Sequence, residues 1–189
     1  MRAATRGMNT MPAALAAAVA AGPAARATVL VPAELGELVR ESQAIVRGRV
    51  VDVTAVWADG RRRIDSLVTL DIDEYLKGDF GAQVTIRVPG GQIGRYRSVM
   101  VGAPSFAEGD EVVLLLGARG PSIPYVLGLS QGVFRVVEDP QTRARVVMPP
   151  PLVAGVDVQA VTRGDGARRP VPLDRFTADV RALVAGGPR

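Results

Sequence analysis

Short segments rich in Val, Ile and Leu, parted by turns of Gly, Pro and Asp, fill the chain from residue 44 to residue 148. This alternation constrains the fold more than any other feature. Residues 64–72 (IDSLVTLDI) put Ile64, Val68, Leu70 and Ile72 on one face and Asp65, Thr69, Asp71 and Asp73 on the other, the period of a half-buried strand. Residues 44–56 alternate too, but their apolar parity switches near Val50, which predicts a bulge and a bent strand. Asp59-Gly60 between these segments is a hairpin signal. Residues 111–116 (EVVLLL) form an unbroken apolar run, expected of a central strand covered on both faces.

Val84, Ile86 and Val88 mark a further strand, residues 93–101 a weaker one, and residues 125–127, 133–137 and 143–148 complete about seven or eight. A short helix is expected at 32–41, where Leu35, Leu38 and Val39 share a face. After the irregular stretch 149–172, Asp174 is expected to cap a last helix to residue 185, with Phe176, Val180 and Leu183 on its apolar face. The expected fold is mainly β: a small OB-like or Greek-key barrel, closed or nearly so, flanked by the two helices.

The chain has 189 residues and neither His nor Cys. Serine triads, cysteine nucleophiles and ordinary zinc sites all rest on imidazole or thiolate, so none is available. Residues 128–132 (GLSQG) spell the nucleophile-elbow pattern around Ser130. With no His base and a strand rather than a helix following, they predict a tight turn between strands. No catalytic residue and no cofactor is expected, and the chain reads as a non-enzyme.

Residues 1–27 carry Arg2, Arg6 and Arg26 with no acidic residue, an Ala-rich apolar run at 11–21, and Ala25-Arg26-Ala27 as a cleavage site before Thr28. That order is a secretory signal peptide, so a single domain of residues 28–189 is expected, secreted or periplasmic. The start codon could equally be Met1, Met8 or Met11. Without those three arginines, 20 basic residues face 19 acidic ones. The high isoelectric point therefore argues poorly for nucleic acid. No stretch after the apolar run is long enough to span a bilayer.

Residues 42–50 (SQAIVRGRV), 68–78 (VTLDIDEYLKG), 88–91 (VPGG), 102–116 (GAPSFAEGDEVVLLL) and 128–132 resemble, in that order, a family of secreted bacterial β-rich proteins. More loosely, the pattern is similar to the netrin-type OB barrel of the tissue inhibitors of metalloproteinases. The resemblance implies an exported partner or inhibitor of a matrixin-like metalloprotease. Those inhibitors chelate the protease zinc through an N-terminal Cys, which this chain lacks; the α-amine of Thr28 is the group left for that role.

Two loops are expected to form a partner-binding rim. In the first, Gly90 and Gly91 precede Arg95 and Arg97 and could cradle an anion. In the second, Pro104 and Phe106 give a stiff, partly apolar surface. Thr28 would join them. Two alternatives stay open. Asp71, Asp73 and Glu74 could serve calcium or carboxylate-dependent hydrolysis, although a solvated strand face is the simpler reading. Arg61, Arg62 and Arg63 beside Trp57 could bind single-stranded nucleic acid as an OB-type domain, or form a solvated loop.

Overall fold

The computed structural model describes residues 33–120, 122–150 and 170–186. The expected signal peptide and Thr28 lie outside the described residues, as does most of the irregular stretch after residue 150.

Among the described residues, ten strands and two α-helices follow in the order α1 (Leu35–Glu41), β1 (Ala44–Ala58), β2 (Arg63–Lys77), β3 (Gln83–Pro89), β4 (Gly91–Ile93), β5 (Tyr96–Ser98), β6 (Glu111–Gly117), β7 (Tyr125–Val126), β8 (Val133–Glu138), β9 (Arg145–Met148), β10 (Val171–Pro172) and α2 (Leu173–Ala185). The main sheet runs β10-β9-β8-β6-β1-β2-β3, with β7 pairing the end of β6. All its ladders are antiparallel. A separate two-stranded hairpin, β4–β5, packs over β1 and β2.

The fold is mainly β and barrel-like, as expected, and the sheet is open rather than closed. β3 meets the segment before β7 through the Arg87 N–H donating to the Pro124 carbonyl at 3.0 Å. No ladder joins β3 to another strand on that side among the described residues.

β1 and β2 form a long twisted ribbon. Its four-residue turn, 59–62, carries Asp59, Gly60 and Arg61 at positive φ, 51°, 63° and 68°. The bulge expected near Val50 is present between Val50 and Asp52, with further shifts at Ile45/Val46 and Arg47/Gly48. At Gly48 the partner backbone comes so close that a Cβ would collide with the Asp71 carbonyl and press on Ile72 Cδ1 at 3.2 Å. Such bulges bend and twist the strands of a sheet.

The inner face holds Val46, Val50, Val68, Leu70, Ile86, Val112, Leu114 and their neighbours. The outer face buries Ile45, Val113, Leu115, Phe134 and Val147 under Leu38 and Val39 of α1 and Phe176 and Val180 of α2. β6 feeds both, with Val112, Leu114 and Leu116 inward and Val113 and Leu115 outward. That double coverage is why its sequence is apolar without interruption.

Several local expectations need correction. α2 begins at Leu173, so Asp174 lies in its first turn and the N-cap is Pro172, with no side-chain cap. Leu183 is 38% exposed, whereas Leu173 and Thr177 are buried with Phe176 and Val180. Asp65 is buried rather than outward. The tight turn expected around Ser130 is present, a 3₁₀ turn of residues 129–132 leading into β8, and Ser130 is buried within it. α1 is tied at both ends: the Ala33 N–H donates to Gln131 Oε1 at 2.7 Å, and Lys77 Nζ donates to the Val39 carbonyl at 2.7 Å and the Arg40 carbonyl at 3.1 Å. Burial lowers the Lys77 pKa below its ordinary value.

Candidate functional site

The two loops singled out in the sequence meet in one cleft of about 470 Å³. Gly90, Gly91, Arg97, Pro104 and Phe106 line it, with strand residues Val53, Val68 and Val88 along it. The first loop is held because Ser66 Oγ donates to the Gly90 carbonyl at 2.9 Å and the Gly90 N–H donates to the Ile64 carbonyl at 3.1 Å. At Gly91 a Cβ would press on Ser66 Oγ at 2.9 Å and Ile64 Cγ2 at 3.1 Å, so glycine lets the β4–β5 hairpin lie close to the sheet.

Arg135 of β8 anchors the second loop. Its guanidinium pairs with Asp110 at 2.6 Å, donates to the Ser105 carbonyl and lies 5.9 Å from the Phe106 ring centre. Asp110 also accepts the Ala107 N–H at 2.9 Å. The Ser130 N–H donates to the Gly102 carbonyl at 3.0 Å, tying the loop to the 3₁₀ turn. Phe106 therefore packs its ring against the inner core while its loop stays at the surface.

Between the loops, Val99, Met100 and Val101 are 74, 43 and 65% exposed. Met100 and Val99 line the cleft. Three consecutive exposed apolar side chains beside a partly apolar cleft form a patch that water solvates poorly. Sequence reasoning placed them in a weak strand and missed them. The available signal was an apolar triplet directly before Gly102 with no polar residue to alternate with.

On the other side of β5 lies a second cleft of about 580 Å³, lined by Trp57, Arg61, Arg62, Arg63, Arg95, Tyr96 and Arg97 among others. It shares Arg97 and Ser98 with the first. It unites the Arg61–Arg63 run with Arg95 and Arg97, groups more than 30 residues apart in the chain. Trp57 and Tyr96 meet edge to face at 5.5 Å. Arg95 donates to the Tyr96 hydroxyl at 3.0 Å and lies 5.1 Å from its ring centre.

Arg63 is engaged by Asp65 at 2.9 Å and Asp59 at 3.0 Å. Its hydrogen bond and ion pair with Asp65 hold its pKa above the ordinary value. Arg61, Arg62 and Arg97 are exposed and form no ion pair among the described residues.

The carboxylates proposed for a metal are spread along β2. Asp71 accepts from Gln83 Nε2 at 2.8 Å. Glu74 pairs with Arg47 at 3.3 Å and with Arg181. Arg47 also reaches Glu111, which Arg145 joins. This network sits between sheet and α2, where each Glu is matched by guanidinium. Among the described residues no group of three or more His, Cys, Asp or Glu is placed to hold a metal ion. No helix among them is long and apolar enough to cross a membrane.

The chain matches no protein-family model, no curated protein and no solved structure.

Proposed function

We propose that this chain is a non-enzymatic binding module that acts outside the cytoplasm and docks another exported protein, a metalloprotease of the same compartment being the most concrete partner. The observation that carries the reading is the cleft joining the Gly90-Gly91 and Pro104–Phe106 loops beside exposed Val99, Met100 and Val101. Apolar side chains held at a surface by hydrogen-bonded loops contribute to affinity when a partner covers them, because little ordering entropy remains to be lost. The outward-facing residues of the loops supply a polar rim, with Gln92 and Ser105 beside the apolar triplet.

The test is binding to, or inhibition of, a purified metalloprotease of the same compartment, with the Val99→Asp/Met100→Asp double variant as comparison. Binding at micromolar concentration that weakens about tenfold or more in the variant is expected. No complex with any such protease at that concentration, or a complex indifferent to the double substitution and to changes at Arg95 and Phe106, contradicts the reading.

A further inference from the structure

We propose that the partner presents an acidic, apolar polypeptide segment, its carboxylates seated among Arg61, Arg62 and Arg97 and its apolar side chains on Val99, Met100 and the Phe106 cleft. The inference rests on the docking role proposed above and specifies what docks.

Charge complementarity across β5 favours such a segment. The basic cleft gathers Arg61, Arg62, Arg63, Arg95 and Arg97, and the acidic residues paired there are Asp59 and Asp65. Asp59 is spent on Arg63, and Asp65 is shared between Arg63 and Arg87. Among the described residues, Arg61, Arg62 and Arg97 remain without a counter-charge, and each presents a planar fork that suits a carboxylate. Like charges gathered without partners repel one another, and an incoming anion relieves that repulsion.

The two clefts lie on either side of β5 and share Arg97 and Ser98 in their linings, so a segment that crosses β5 there would touch both. A nucleic acid would satisfy the guanidiniums and stack on the half-exposed Tyr96. It would leave Val99 and Val101 in water, 74 and 65% exposed. A wholly apolar ligand would leave the arginines unmatched. A peptide carrying Glu or Asp next to Leu or Val covers both surfaces.

Trp57 is the only tryptophan in the chain and lines the basic cleft, so its emission reports occupancy directly. Four probes are titrated against the full chain: a peptide alternating Glu and Leu, one alternating Lys and Leu, one alternating Ser and Leu, and a twelve-base oligo-dT. The Glu–Leu peptide is expected to bind most tightly. Its affinity should fall about tenfold in the Arg61→Glu/Arg62→Glu variant, and should also fall between low and moderate salt as exposed charges are screened. Both substituted residues are exposed, so an unchanged melting temperature should accompany the loss.

Equal binding of the Ser–Leu and Glu–Leu peptides, unchanged in the arginine variant, overturns this inference and leaves the docking role standing. Oligo-dT binding tighter than the Glu–Leu peptide overturns it in favour of nucleic acid. Glu–Leu binding that survives Val99→Asp/Met100→Asp undiminished overturns the apolar half, and with it the docking surface itself.

Discussion

Replacing Asp65 by Asn should destabilise the fold by about 1–3 kcal/mol, measured by denaturant unfolding. The carboxylate is 1% exposed and held by Arg63 at 2.9 Å and Arg87 at 3.7 Å. Losing one member of a buried pair leaves the other charge uncompensated. Both guanidiniums are more than two-fifths exposed, and the resulting screening keeps the cost toward the low end. An Asp65→Asn variant as stable as the parent would contradict this. Asp139 makes a separate pH prediction. Its carboxylate accepts the N–H groups of Thr142 and Gln141, which hold its pKa below 3.8. A carboxylate depressed in the folded state contributes stability above its unfolded pKa and loses it as pH falls through the folded value. The melting-temperature difference between the parent and Asp139→Ala should therefore be present at neutral pH and shrink below pH 3.8.

At the scale of elements, two substitutions test why the sheet curls and why the helices stay on it. Gly48→Ala drives a Cβ into the Asp71 carbonyl at a bulged register and should cost about 1–3 kcal/mol, read as a lowered denaturant midpoint. Phe176→Ala empties the contact with Phe134, where the ring centres are 4.9 Å apart, and should cost about 3–5 kcal/mol. A loss below about 1 kcal/mol at Phe176 would mean that α2 is not part of the cooperative core. The strands that sequence reasoning located best are those whose side-chain pattern follows from burial alone. β6 is apolar throughout because both faces are covered, and the parity switch near Val50 marks a real bulge. What stayed hidden depends on distant partners. Asp65 looks outward by alternation but is buried by arginines on β2 and β3. The start of α2 depended on Pro172 rather than on a polar cap. That the sheet stays open between β3 and β10 is a property of distant edges that local pattern does not encode.

At the scale of the molecule, the inner core opens toward one side, and the β4–β5 hairpin with the 99–109 loop stands there as two walls. Both rim loops could be named from the sequence because glycine and proline mark loops. Their meeting could not, since Arg135 and Ser130 bring the second loop into place from far along the chain. Nor could the joining of Arg61–Arg63 to Arg95–Arg97, which the long β1–β2 ribbon and the folded-back hairpin produce. On the proposed reading this side of the molecule, and not the rest of the sheet, meets the partner. The most direct measurement places a photo-crosslinking side chain at position 99, beside the cleft, or at position 137, which is 41% exposed on β8 and separated from β1 by β6. Irradiated with the exported proteins of the producing cell, the position-99 chain should give a discrete cross-linked species that the Glu–Leu peptide suppresses. Equal cross-linking from position 137, or none from position 99, would contradict the account.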